Sequence, residues 1–409
     1  MRINVSRTSL QNIALYFYFF SISFESVNFY GYGSTSFFAG LIYLILISPS
    51  VKIFTVLNEN LKFFSPLVLF FVWLIFISLI NINSFSSRFF DLAFFLNILI
   101  FFTMVNHANK DKLALEKGFF FFAIGSIIAA TLLFLGIGVD ESDEGLRAGR
   151  QTFFNSGPNE FGIKLVTGAA VIIAILIQDN LKLGRYRYLL ALFLPIILSG
   201  ILNTASRTAI LCLLLLPLTW MFFRVLKSKY KFYALFSGLF FVFISLIPVG
   251  FFILQNQIVL DRIEFTTTSN SDFEELGRFF LWLGFYNLLF ENLIFGNGLS
   301  GFDLITFKYF GFIESPHNIF LEIILYTGLI GLTIYFIFFF RTIYASYRLF
   351  KDFQMLLPIL LLPTIFAYSM ALQALTEKIC WVVFAYIVGT YLIKKPLGLK
   401  NYNESINSN

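Results

Sequence analysis

Residues 315–332 read SPHNIFLEIILYTGLIGL, and His317 within them is one of only two histidines in the chain. A histidine with an ordinary pKa of about 6.5 can take a proton from a hydroxyl near neutral pH. Here it stands with Asn318 where an apolar run begins, a polar pair at the mouth of a hydrophobic segment. Pro316 is an ordinary helix-start signal, so spacing alone fits a helix cap as well as a catalyst. Three arginines also adjoin apolar segments: Arg150 in GRQTFFNSGPN, Arg207 in NTASRTA and Arg278 in LGRFFLW. A guanidinium is a rigid fork matched to two phosphate oxygens. Near hydrocarbon it is costly unless paired or wetted. Three forks and one histidine fit a diphosphate site. Each arginine also has a plainer reading. Arg207 can anchor a helix at the interface, Arg278 can pair with Glu274 or Glu275, and Arg147 and Arg150 can balance the acidic run 140–144.

The elements that would position these side chains are apolar. Hydrophobic residues make up 58% of the 409 and charged residues 13%, about half the charge of an ordinary soluble domain. Runs such as LVLFFVWLIFISLI and FFFFAIGSIIAATLLFLGI have no polar face. In hydrocarbon every backbone polar group must be paired internally, so such runs are read as spanning helices. The sequence predicts an all-α polytopic membrane protein forming a single integral membrane domain over 1–409. Twelve spans are placed near 8–24, 36–48, 63–80, 89–105, 118–138, 161–177, 188–199, 208–223, 232–254, 318–340, 353–372 and 379–393. The seventh is short and carries Pro195, so a kink or a re-entrant segment is expected there. The stretch from Leu10 is expected to be a first span, not a removable signal.

Charge assigns the sides. The amino-terminal arm, alternate connections such as RVLKSKYK and RTIYASYRLFKD, and the tail after 393 all carry net positive charge. The positive-inside rule places these in the cytoplasm together with both termini, as an even number of spans requires. The basic balance is then a topology signal, and no nucleic-acid partner is implied. Residues 255–317 form a long extracytoplasmic loop with eight acidic residues against Arg262, Arg278 and Lys308. Within it LGRFFLWLGFYNLLFENLIFG reads as an amphipathic or partly embedded helix, which FGNGLSGF should break. Making 279–295 a full span would put the termini on opposite sides, against the charge pattern.

Other chemistries lack a signature. Cys212 and Cys380 both fall in predicted spans, so no disulfide framework follows. The spacings of metal-ligand, Walker and dinucleotide motifs are absent from the sequence, so no metal or cofactor is expected. His107 is read as an ordinary loop residue with no chemical role. Glu322, five residues beyond His317, is poorly placed to orient it, although a carboxylate near a span start needs a partner. Without a nucleotide site, transfer chemistry would need a substrate activated in the bilayer. A polyprenyl-diphosphate sugar is one, because its diphosphate is already a leaving group.

Taken in order, GRQTFFNSGPNEFG, LSGILNTASRTAIL, LGRFFLWLGFYNLLFENLIFGNGLSGF and SPHNIFLEIILYTGLIGL resemble the O-antigen ligase and O-antigen polymerase superfamily of bacterial envelope glycosyltransferases. The likeness covers residues 140–340 by motif and the whole chain by topology. One departure is Phe153, where many members have a glycine. The resemblance implies a GT-C-like fold in the bacterial inner membrane, with the active site facing the periplasm. It implies that Arg150, Arg207 and Arg278 hold undecaprenyl diphosphate while His317 activates the acceptor hydroxyl. Asn318, Ser206, Asn159 and Arg147 would support them. The implied reaction is metal-independent and inverts the donor's anomeric carbon.

A polymerase adds one lipid-linked repeat unit to another, whereas a ligase transfers glycan to lipid A core in lipopolysaccharide biosynthesis. The motifs concern the donor and do not separate the two. Acidic outer regions favour the polymerase, for which a chain-length regulator is an expected partner. Membrane lipids and an undecaprenyl-diphosphate-linked oligosaccharide are expected partners in both cases. A transporter of lipid-linked sugars is a third reading, but it predicts repeated halves, and no convincing internal repeat is found.

Overall fold

In a computed structural model of the chain, residues 7–27, 33–48, 60–88, 90–141, 151–154, 156–255, 277–373 and 375–407 are described. The apolar runs wind into helices because hydrocarbon leaves the backbone no partner but itself. In chain order these are α1 (Arg7–Ile22), α2 (Thr35–Ile47), α3 (Leu61–Ile80), α4 (Leu92–Lys110) and α5 (Ala114–Phe134). After a two-stranded ribbon come α6 (Pro158–Ile177), α7 (Leu194–Asn203), α8 (Arg207–Lys227), α9 (Lys231–Gln255), α10 (Gly277–Leu289) and α11 (Gly298–Phe310). The chain ends with α12 (Ile319–Phe353), α13 (Leu357–Leu360), α14 (Leu362–Ala371) and α15 (Lys378–Asn407). The protein is an all-α polytopic membrane protein. Among the described residues, seven helices are long and apolar enough to cross a bilayer, and Thr35–Ile47 and Leu357–Ala371 are shorter apolar helices.

Several expectations are refined. The seventh predicted span begins as a 3₁₀ helix over Gly184–Phe193 and continues as α7, with Pro195 in the first turn. Proline has no N–H to donate and suits a helix start, so it begins α7 and does not kink it. The eleventh divides into α13 and α14, each with a proline in its first turn. At 13 residues, α10 is about 20 Å long, too short for a full span. FGNGLSGF does interrupt the helix, with Gly296 and Gly298 at positive φ, but α11 starts again at once. His107 is not a loop residue: it lies in the last turn of α4 and is 2% exposed.

Antiparallel packing gives the bundle two distinct ends. At one, called upper here, α1, α3, α7 and α14 finish and α6, α8, α12 and α15 begin. Lys164 of α6 and Lys378 of α15 both bind Glu25, just beyond α1. At the lower end Gln11 of α1 donates to the carbonyl of Leu46 in α2, and the Leu356 N–H donates to Gln178 beyond α6. Between the ends, Phe94, Phe101, Phe338 and Phe384 pack around the buried Trp381 or its neighbours, with ring centroids 5.5–6.0 Å apart. The ribbon pairs Val139 with Phe153 and Glu141 with Gln151.

One span is broken. Within α12, Gly328 has φ 64° and ψ −170°, which strands backbone groups on both sides. Residues 293–297 satisfy them: the Leu329 N–H donates to the Leu293 carbonyl at 2.9 Å, and the Asn297 N–H donates to the Leu325 carbonyl at 2.9 Å. Trp73 Nε1 donates to the Thr327 carbonyl at 2.9 Å. A Cβ at Gly328 would lie 2.1 Å from the Ile294 carbonyl oxygen, so only glycine fits. From Gly328 to Arg341, which donates to the carbonyl of Phe63 at the lower end of α3, α12 rises about 20 Å. Hydrocarbon is about 30 Å thick, which puts the break in the upper half of the bilayer. Irregular backbone is tolerated at such depth where protein covers it.

Candidate functional site

At the upper mouth of α12 two roles that the sequence left merged are divided between neighbours. Asn318 is the cap: its Oδ1 accepts from the N–H groups of Phe320 and Leu321 at 3.0 and 3.2 Å. His317 precedes the cap in the left-handed backbone region, φ 47°, uncommon for a residue with a side chain. Its N–H donates to Ser315 Oγ at 3.3 Å, and Trp282 of α10 holds the turn by donating to the Pro316 carbonyl at 2.8 Å. The imidazole is 40% exposed, with Nε2 3.7 Å from Glu314 Oε1. A half-exposed ring beside a carboxylate can exchange protons with a bound molecule.

A second group forms where α6 and α8 start. Ser206 caps α8 by accepting from the Ala209 N–H, and its hydroxyl donates to Asn159 Oδ1 at 2.7 Å. Gly162 lets the two helices close, since a Cβ there would be 2.7 Å from that of Ala209. Arg207 follows the cap as the first residue of α8 and is exposed at the upper end. A helix N-terminus carries partial positive charge, so Arg207 adds a full charge to an end that already favours anions. The upper end of α14 bridges the two groups. Tyr368 donates to the Glu160 carbonyl at 3.3 Å, while Asn318 Nδ2 lies 3.9 Å from Met370 Sδ.

The structure therefore brings Asn159, Ser206, Arg207, His317 and Asn318 to one end of the bundle. Arg278 is the second residue of α10. Arg147 and Arg150 lie outside the described residues. Phe153 is fully buried in the ribbon and stacks on Phe161 at 5.3 Å.

Sequence reasoning missed an ion network beside this site. Lys164, 3% exposed, binds Glu25 at 3.0 Å and also Glu160, and Lys378 binds Glu25 from the other side. Burial alone would raise the Glu25 pKa, but the two ammonium groups outweigh it and hold it at about 2. Burial pushes Glu377 well above the carboxylate range, and the charges of Glu160 and Glu25 push it the same way. Oxygens of Glu25, Glu160 and Glu377 come within 4.8 Å of one another, close enough for metal ligands. Lys164 and Lys378 already supply the positive charge between them, so the donor set is that of a salt-bridge network. The five residues come from three distant parts of the chain, and no local spacing could reveal them.

Glu322 has the partner it needs, because Tyr326 one turn on donates to its Oε1 at 3.2 Å. Arg88, in the connection between α3 and α4, binds Asp303 of α11 at 2.5 Å, and Ser86 donates to the same carboxylate at 2.8 Å.

Residues 188–336 match the family described as O-antigen ligase. The matched region includes Arg207, Arg278 and His317, and it supports the O-antigen polymerase and ligase superfamily for this chain. Among curated proteins none gives a match.

Proposed function

We propose that the protein is a surface-polysaccharide polymerase that transfers glycan from undecaprenyl diphosphate to a sugar hydroxyl of another lipid-linked repeat unit. The observation that carries this reading is the division of labour at the mouth of α12. Asn318 caps the helix, which leaves the His317 imidazole half-exposed at the end of the bundle where Arg207 also stands. The acceptor oxygen attacks the anomeric carbon from the side opposite the diphosphate. Its proton passes to His317, and the carbon–oxygen bond to the diphosphate breaks with inversion. Arg207 and Arg278, joined by Arg150, stabilise the charge that grows on the departing diphosphate. The transfer uses no metal. The upper end faces the periplasm of the bacterial inner membrane, and both termini are cytoplasmic. A GT-C-like architecture, membrane lipids around the spans and a chain-length regulator as partner belong to the same reading.

The ligase reading is favoured by the family description itself. Acidic side chains around the mouth of α12, Asp91 and Glu314, favour the polymerase, because the core of lipid A is anionic and would be repelled there. Swapping purified acceptors separates the two. A polymerase lengthens lipid-linked repeat units in the absence of core oligosaccharide. Transfer to core oligosaccharide with no chain growth would replace this reading by the ligase.

A further inference from the structure

Next to His317 is a polar cavity of about 190 Å³. Arg88, Asp91, Phe302, Glu314, Glu322 and Gln373 are among its walls. Glu322 is 4% exposed. Tyr326 serves its Oε1, whereas Oε2 is buried with no hydrogen-bond partner. Arg88 commits Nη2 to Asp303, and its Nε is likewise buried without a partner. Interiors leave few such atoms unsatisfied, since each one left bare is costly. Both side chains line the cavity, so a small rotation of each would turn one spare acceptor and one spare donor towards a hydroxylated guest.

Size and charge narrow the class of guest. The volume is below the roughly 300 Å³ at which drug-sized sites begin, enough for one small ring. Asp91 and Glu314 outnumber Arg88, whose charge Asp303 already balances, so an anion is disfavoured. Among the described residues the carboxylates drawn to metal-ligand distance are those of Glu25, Glu160 and Glu377, not these. Phe302 and Tyr326, packed edge to face at 4.8 Å, add aromatic surface to the wall. The cavity also shares a wall with the histidine: Glu314 lines it and lies 3.7 Å from His317 Nε2, and Ser315, next in the same wall, accepts from the His317 N–H.

We propose that this cavity is the acceptor subsite and holds one neutral sugar ring of the acceptor glycan. Turned into the cavity, Glu322 Oε2 accepts from a ring hydroxyl and Arg88 Nε donates to a sugar oxygen, which presents a neighbouring hydroxyl towards His317. The word acceptor rests on the glycosyltransferase reading above, but the binding of a sugar does not.

The test is saturation-transfer NMR on the full chain in lipid nanodiscs, with the methyl glycosides of glucose, galactose, N-acetylglucosamine and rhamnose as probes. At least one glycoside should give a signal. Glu322→Gln, nearly the same size, should weaken its Kd about tenfold with an unchanged melting temperature. Should that variant fail to fold, Gln373→Cys supplies a second readout. Cys212 and Cys380 are both buried, so a polar methanethiosulfonate reagent reports on the new thiol, and a bound glycoside should slow its labelling. No glycoside signal and no protection, or a signal that Glu322→Gln leaves unchanged, overturns the proposal. Neither readout requires transfer. Glycoside binding without transfer activity would uphold the sugar site and strike the catalytic reading, whereas transfer without glycoside binding would strike the sugar site alone.

Discussion

His107 and His317 stand at opposite ends of the bundle and differ in what their surroundings ask of the ring. His107 is buried at the lower end of α4. Its Nδ1 faces the Tyr43 hydroxyl at 3.2 Å and its Nε2 faces Asn12 Oδ1 at 2.8 Å, and the ring stacks on Tyr43 with centroids 6.0 Å apart. Asn12 in turn donates to Asp111 at 3.0 Å. Both nitrogens of that ring are spent on tying α1, α2 and α4 together. His317 sits in a left-handed turn, its backbone held by Ser315 and Trp282 and its capping duty taken by Asn318, with the ring 40% exposed. Residue type is the same in both places. Chemistry is available where neighbours hold the backbone and leave the ring facing outward.

The sharpest way to break this contrast is to disturb what supports the upper end. Gly328→Ala pushes a methyl into the Ile294 carbonyl and forces alanine to positive φ, so it should cost more than about 4 kcal/mol and strongly reduce the yield of folded protein in detergent. Glu25→Gln leaves Lys164 and Lys378 without their shared carboxylate and should cost about 3–5 kcal/mol at neutral pH, read as a lower melting temperature. The sign follows from a folded pKa held near 2, below the unfolded carboxylate value. Its stabilisation is complete above the unfolded value and disappears as pH falls towards 2. The wild-type melting temperature should therefore drop across that window, and Glu25→Gln should drop less.

Arg207→Ala should lower the transfer rate about 10²–10³-fold with little change in melting temperature, since the arginine is exposed at the start of α8. His107→Ala should do the reverse. It removes a partner from Tyr43 and Asn12 and should cost about 1–3 kcal/mol, with transfer per folded molecule unchanged. A loss of transfer in His107→Ala without loss of stability would erase the distinction between the two histidines.

How legible this was depended on whether the cause was local. The spans could be read because an apolar run without a polar face leaves the backbone one solution. A cap at the mouth of α12 and a missing partner for Glu322 could be read locally, whereas the assignment of the cap to Asn318 and of the partner to Tyr326 came only with the fold. The break in α12 left no mark, since a lone glycine in IILYTGLIGL looks like a tolerated helical residue. It needs Gly296 and Leu293 from another segment to make sense. The restart at α11 was missed because FGNG suggests a longer interruption than it causes. Arg88, in SFSSRFF, gave no sign of Asp303, and the network of Glu25, Lys164 and Lys378 joins residues that only the fold brings together.

The most direct measurement uses purified protein in lipid vesicles with one synthetic undecaprenyl-diphosphate repeat unit, a chelator and no lipid A core, with products separated by size. Wild type and His107→Ala should both yield a ladder of lengthened glycans. His317→Ala, folded to the same extent, should form it about 10²–10⁴-fold more slowly. A ladder of undiminished rate from His317→Ala would contradict the account at its centre.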